Sequence, residues 1–439
     1  MGRVRAAARS VPFEREPGEQ ARRMALVWGD AAELAPLAGD ADWDPREELA
    51  TLRALDDLLS LAFPDLGGDA AKMLDTEVLD ALNERYYKDG WWYRSERLML
   101  LPRRQRGEGF VFTPSPDAVP LQYTCVVEGD ANALLQVTRM AQEDEVDGKG
   151  VPRTTAASCA AAPLVGRGAL TLDVSLEGED LSYGPVLRQE AIVEELIDRV
   201  LDAAEAAGAA ILIAPEYSSS PEVCERWVAA LSRREPSSLR WVVAGSGPLD
   251  GEPEANTATI LSYDGRIRIE QPKMRPFNMT LGGLREWKHP DLPDGNDEQI
   301  VRERLTDSGP WQLVECNGGR FVVAVCESFQ ASADATWLSA LGQACPTLVL
   351  CPVFSKPGDK SRWERSASAM WQTIGADVVI ANSVVVGEWM NPAEAQQGYM
   401  LVRRHGTEAD AGGWVKSPPN VSVTLTDGVT PAIVSMSDA

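Results

Sequence analysis

Three residues with complementary chemistry each follow an apolar, strand-like run in this 439-residue chain. Glu216 follows A-I-L-I-A-P, Lys273 follows I-R-I-E-Q-P, and Cys326 follows F-V-V-A-V. In a layered α/β sheet the carboxyl ends of different strands converge on one crevice. A carboxylate, an ammonium and a thiol gathered there share a chemical logic. The carboxylate removes the thiol proton and the thiolate attacks an electrophilic carbon. The acid so formed donates to a departing amine, then as a base activates water. The ammonium, with a backbone N–H just after the cysteine, holds the oxyanion. Taken singly, Cys326 reads as a core thiol, Glu216 as a helix-capping acid and Lys273 as a solvated turn residue. Only their joint placement points to catalysis.

The elements that must position them alternate strand and helix. Phe321–Val325 is β-branched and apolar throughout, which predicts a strand buried on both faces. A helix is expected over Val186–Ala207, stopped by Gly208, then a strand over Ala210–Ala214. Ser220-Pro221 opens the next helix as N-cap and first-turn proline. Strands follow at Trp241–Ala244 and Asn256–Ser262, with a turn at Tyr263–Arg266 into Ile267–Glu270. Asn278–Gly309 reads as a long polar insertion, long enough for a substrate lid or an interaction segment. A helix near Ala333–Leu341, a strand at Thr347–Leu350, a helix at Trp363–Ile374 and a strand at Asp377–Ala381 complete the series. From Gly398 onward the chain is turn-punctuated β material. The whole is a mixed α/β domain over residues 155–439.

Ahead of it, residues 1–40 read as a weakly ordered lead-in. Residues 41–150 read as a small accessory α+β domain, closed by the polar linker Glu143–Gly150. Within it, helices are expected from Asp44-Pro45 and from Asp69, strands at 91–93, 98–101, 110–113 and 121–127, and a last helix through Leu134, Leu135 and Val137. The aromatic cluster and Arg103–Arg106 make this unit a candidate surface for a protein partner.

Composition narrows the function classes. A net charge of −24 argues against non-specific binding to nucleic acid or to anionic membranes. The 7 cysteines are odd in number and scattered, without a C-x-x-C pair, so neither a disulfide framework nor a zinc site is expected. His289 and His405 are the only histidines, and neither has a catalytic context, which disfavours Cys-His or Ser-His chemistry. No apolar run reaches membrane-spanning length, and the expected location is cytoplasmic.

The ordered set of motifs resembles the nitrilase superfamily of carbon–nitrogen hydrolases. The residues that carry the resemblance are Ile211–Glu216, Asn256–Ile267 leading to Lys273, Phe321–Glu327, Leu348–Ser355 and Asp377–Ser383. The resemblance implies a four-layer-type αββα sandwich with the small N-terminal domain added, commonly a homodimer or larger homo-oligomer. It implies Glu216 as general base, Lys273 as oxyanion stabiliser, Cys326 as nucleophile and the Glu327 N–H as oxyanion support. It also implies a second glutamate between lysine and cysteine; Glu286 is preferred by a small margin over Glu303. No metal or organic cofactor is implied. The expected substrate is a small-molecule amide, ahead of a nitrile, cleaved through a thioester. After the nucleophile the chain departs from common patterns with E-S-F-Q-A-S. Cys326-Glu327 is similar to the glutaminase branch attached to NAD synthetases, so an ammonia donor or an acyl transferase is the alternative. A catalytically silent scaffold that binds a partner through its N-terminal unit is a third reading.

Overall fold

The computed structural model describes residues 159–390 apart from short gaps, among them 165–169, 288–291 and 331–334, together with strand segments within 93–139 and 398–435. The chain divides into two units, Met1–Gln105 with Pro116–Asn132, and Arg106–Ser115 with Ala133–Ala439. In the first, Tyr93–Arg94, Leu98–Pro102 and Thr124–Glu128 form an antiparallel three-stranded sheet. The helices expected from Asp44 and Asp69, the lead-in, Arg103–Arg106, residues 110–113, the linker 143–150 and both histidines lie outside the described residues.

The expected helix around Leu134–Val137 is instead a strand, Leu135–Arg139, paired in parallel with Trp311–Cys316 in the larger unit. Leu135 and Val137 are buried while Gln136 is exposed, an alternation of period two. The larger unit therefore takes in residues ahead of the polar linker, from Ala133 onward as well as Arg106–Ser115.

That unit holds two seven-stranded mixed sheets. The first runs, in spatial order, Arg268–Pro272, Glu252–Ser262, Trp241–Leu249, Ile211–Ile213, Cys159–Ala161, Ser422–Thr426 and Pro431–Ser435. The second runs Trp414–Ser417, Gly398–Arg403, Asp377–Asn382, Leu348–Val353, Gly319–Val323, Trp311–Cys316 and Leu135–Arg139. The sheets touch where the Trp241 ring meets Phe321 edge-on, with centroids 5.6 Å apart. The described residues of the central strands are almost entirely buried, as their continuous apolar runs require.

Helices Glu190–Ala206 and Pro221–Leu231 pack on each other and on the first sheet, and Lys360–Ile374 packs on the second beside Ala335–Ala344. Ser220 caps the second of these helices by accepting from the Val223 N–H at 3.2 Å, with Pro221 in its first turn. The first helix starts at Glu190, not Val186, because residues 170–187 form a hairpin of two eight-residue strands, Leu170–Glu177 and Asp180–Leu187.

The insertion is built into the fold. Met279–Thr280 and Ile300–Glu303 join that hairpin in a four-stranded sheet, and Leu281–Glu286 is a short helix between them. The stretch read as a lid is, in its described part, a wall whose last strand points a glutamate inward. A hairpin the sequence reading passed over, Trp311–Cys316 with Gly319–Val323, carries Glu315 and Arg320 as a wholly buried ion pair.

Candidate active site

Three chain segments deliver the acid, the base and their support. After the buried strand Ile211–Ile213, Ala214 N still donates to Val243 O at 2.8 Å, and the chain then turns sharply at Tyr217 with φ 58°. This left-handed conformation is unfavourable for a bulky residue and is held by its surroundings. The turn nests against Gly245, φ +83°, where a Cβ would sit 2.0 Å from Ser218 Oγ and 2.8 Å from Pro215 O. Only glycine allows that approach.

Lys273 is placed by register. Thr257 pairs with Pro272 in the antiparallel ladder, and Lys273 N donates to Asn256 O at 2.8 Å. The turn that sets this register is pinned by Ser262 Oγ on Asp264 and by Gly265 at φ +71°. Cys326 lies three residues past the strand Gly319–Val323, with its N–H still bonded to Pro352 O at 2.9 Å. Its φ of 44° makes it a second left-handed residue, turning the chain into the short helix Glu327–Gln330.

The polar centre is closed and densely bonded. Lys273 Nζ donates to Glu216 Oε1 at 2.8 Å and to both Glu303 oxygens at 2.7 Å, with all three side chains 1% exposed. Asn256 Nδ2 donates to Glu216 Oε1 at 2.9 Å and to Glu303 Oε1 at 3.1 Å. Its orientation is fixed from behind, since Ser246 Oγ donates to Asn256 Oδ1 at 2.6 Å. Glu303 also accepts from the Tyr217 hydroxyl and, at 2.6 Å, from Phe277 N–H. Ser328 Oγ accepts from Met274 N–H at 2.8 Å, tying the segment after Lys273 to the one after Cys326. The remaining oxygen of Glu216, Oε2, is buried and has no hydrogen-bond partner.

Burial raises the Glu216 carboxyl above its ordinary range; Lys273 pulls against this and Glu303 adds to it. Burial and then Glu216 push the Cys326 thiol well up, opposed by Lys273 and by the Phe354 backbone. For Lys273 burial favours the neutral amine, but Glu216 and Glu303 outweigh it and hold the ammonium above its usual range. The site thus sets a buried thiol beside a desolvated carboxyl group and a fixed cation. A desolvated carboxyl group beside a thiol is the arrangement of a general base and its nucleophile.

The structure brings Glu216, Lys273 and Cys326 into one electrostatic cluster. Of the two further glutamates, Glu303 belongs to it and Glu286 does not. Glu286 is exposed at the end of its short helix, 3.6 Å from Lys356. Leu281 and Leu284 face inward there, which turns position 286 outward. In I-V-R-E, Val301 and Glu303 alternate inward, a period-two signal that singles out Glu303. Glu327 is half-buried and accepts from Arg362 Nη2 at 2.8 Å, and burial raises its carboxyl despite that partner. Sequence reasoning missed Tyr217, Asn256, Ser246 and Phe354. Tyr217 directly follows the base and Asn256 opens the N-T-A-T motif, but Ser246 and Phe354 carry no local signal. Among the described residues, no group of three or more His, Cys, Asp or Glu is placed to hold a metal ion. No helix among them is long and apolar enough to cross a membrane.

No family model and no curated protein matches the chain. Among solved structures it is similar to an amidase from Nesterenkonia sp., at 17% identity over 66% of this chain and 94% of that one, TM-score 0.34. A variant of the Nesterenkonia AN1 amidase from the nitrilase superfamily matches at 16% identity over 65% and 89%, TM-score 0.35. A glutamine-dependent NAD+ synthetase from Acinetobacter baumannii matches at 17% identity over 55% and 44%, TM-score 0.35. At such TM-scores these likenesses carry no weight for the site, which rests on its own geometry.

Proposed function

We propose that this protein is a nitrilase-type hydrolase that cleaves a non-peptide carbon–nitrogen bond, an amide, through a thioester on Cys326. The observation that carries the reading is the Glu216 carboxylate. One oxygen is tied down by Lys273 and Asn256, and the other is buried and unpartnered in the same electrostatic cluster as the thiol. A desolvated carboxylate with a free oxygen is a base waiting for a proton.

In the reaction Glu216 takes the Cys326 proton as sulfur bonds to the carbonyl carbon. The carbonyl oxygen becomes an oxyanion, held by Lys273 Nζ and the Glu327 N–H. Glu216 then gives its proton to the nitrogen as the C–N bond breaks, releasing the amine and leaving the thioester. Water, deprotonated by Glu216, attacks that thioester, and collapse of the second oxyanion expels the thiolate, which regains its proton. Glu303 positions Lys273 throughout. The fold that goes with this chemistry is the αββα sandwich, and a homodimer or larger assembly with a small-molecule substrate completes the reading.

Intact-protein mass spectrometry with a panel of amides, nitriles and glutamine tests it. The wild type should gain an acyl mass on Cys326 and release amine. Release of ammonia from glutamine would assign the glutaminase alternative, and acyl transfer to added hydroxylamine in preference to water would assign a transferase. Full turnover by Cys326→Ala on every accepted substrate would overturn the mechanism. No adduct with any probe, despite alkylation of Cys326 by iodoacetamide, would favour a silent scaffold.

A further inference from the structure

We propose that Gln271 is a positioning residue for Lys273: its carboxamide joins the peptide just ahead of Lys273 to the sheet that carries Cys326. The inference rests on the proposed roles of Lys273 as oxyanion stabiliser and Cys326 as nucleophile. Those two residues ride on different sheets. Lys273 follows Arg268–Pro272 at the edge of the first, whereas Cys326 extends from Gly319–Val323 in the second. Oxyanion stabilisation needs the ammonium and the sulfur in a fixed mutual geometry, so a bond between the sheets at this point bears on the chemistry.

Along Arg268–Lys273 the side chains alternate. Arg268 and Glu270 are exposed, while Ile269, Gln271 and Lys273 are buried. A primary amide at an inward position costs free energy unless its polar ends are bonded. Gln271 is wholly closed to solvent, and both ends are used. Its Oε1 accepts from Gln312 N–H at 2.7 Å, and its Nε2 donates to Pro272 O at 2.9 Å. A main-chain N–H can only donate and a carbonyl can only accept, so one orientation of the amide satisfies both. Pro272 O belongs to the same peptide as Lys273 N, which donates to Asn256 O at 2.8 Å. That peptide is thus held from both edges, by the first sheet's ladder and by Gln271. Gln312 lies on Trp311–Cys316, and the next residue, Leu313, pairs with Val322 in the strand that leads to Cys326. Behind Lys273 a second tie runs the same way. Ser328 Oγ accepts from Met274 N–H at 2.8 Å and from Arg275 N–H at 3.3 Å. Lys273 is therefore bracketed, with one bond to the second sheet ahead of it and others to the helix after Cys326 behind it.

The test uses the full chain and its Gln271→Met and Gln271→Asn variants. Methionine removes both bonds at similar size, and asparagine, one methylene shorter, keeps an amide too short to span both partners. On an accepted amide, kcat should fall about tenfold to a hundredfold with KM little changed, since the ammonium is displaced from the oxyanion it holds. Lys273 also favours ionisation of the Cys326 thiol. The pH profile of Cys326 alkylation by iodoacetamide, with the site assigned by peptide mass, should therefore move to higher pH in both variants. Asparagine decides the matter if the methionine variant does not fold. A folded variant that melts lower yet keeps the wild-type kcat and alkylation profile overturns the proposal. Wild type without any acyl adduct on Cys326 sinks the hydrolase reading, and the alkylation profiles then still decide whether Gln271 places Lys273. An adduct on the wild type together with unmoved variants sinks only the role of Gln271.

Discussion

Glu303→Gln tests the electrostatic coupling at the centre of the site. Glu303 and Glu216 bind the same ammonium and the same carboxamide, which places their Oε1 atoms close together. At an effective dielectric of about 20, two unit charges about 5 Å apart repel by on the order of 3 kcal/mol, and Lys273 between them offsets part of this. Burial first, and this repulsion after it, raise the Glu216 carboxyl against the pull of Lys273. Removing the Glu303 charge while keeping its shape should therefore move the acid limb of kcat/KM toward lower pH. The plateau should fall as well, because Lys273 loses one of its two carboxylate anchors. The assay is a pH–rate profile on an accepted amide, with the pH dependence of Cys326 alkylation as a substrate-free companion. An acid limb that stays in place or moves upward would refute the reasoning, since it would mean that Glu216 is not the group titrating there.

Other outcomes follow from the same geometry. Glu216→Gln should cost about 10²–10⁴ in kcat, as loss of a general base does. Because the folded carboxyl titrates above its ordinary value, native protein binds more protons than unfolded chain within that window, and stability falls as pH rises through it. The melting temperature of the variant relative to wild type should accordingly rise as pH goes from 4 to 8. Gly245→Ala forces a Cβ onto Ser218 Oγ at a positive φ, and should cost about 2 kcal/mol or more in denaturant unfolding while disturbing the Glu216 turn. Arg320→Met leaves Glu315 charged and buried, and should cost about 3–5 kcal/mol by the same assay.

The three reactive residues and the strands before them were legible because both signals are local. An apolar β-branched run such as Phe321–Val325 names its own strand, and Glu216 and Cys326 sit within three residues of one. Leu135–Arg139 misled because a five-residue stretch holds too few turns to separate period two from period 3.6, and its pairing with Trp311–Cys316 lies far along the chain. Glu286 and Glu303 were separable only in principle. Both are glutamates in one polar insertion, and the choice fell to a parallel pairing of Ile300–Glu303 with the distant strand Asp180–Leu187.

By itself, then, the sequence determined which chemistry is present: a thiol, a carboxylate and an ammonium, each just after a strand. Tertiary structure decided what state they are in. The unpartnered oxygen of Glu216, the double anchoring of Lys273 and the Asn256 bridge all depend on residues from separate strands and loops. Their effect on proton affinity comes from burial and from charges only a few ångströms away. Both are properties of packing, which residue spacing along the chain does not encode.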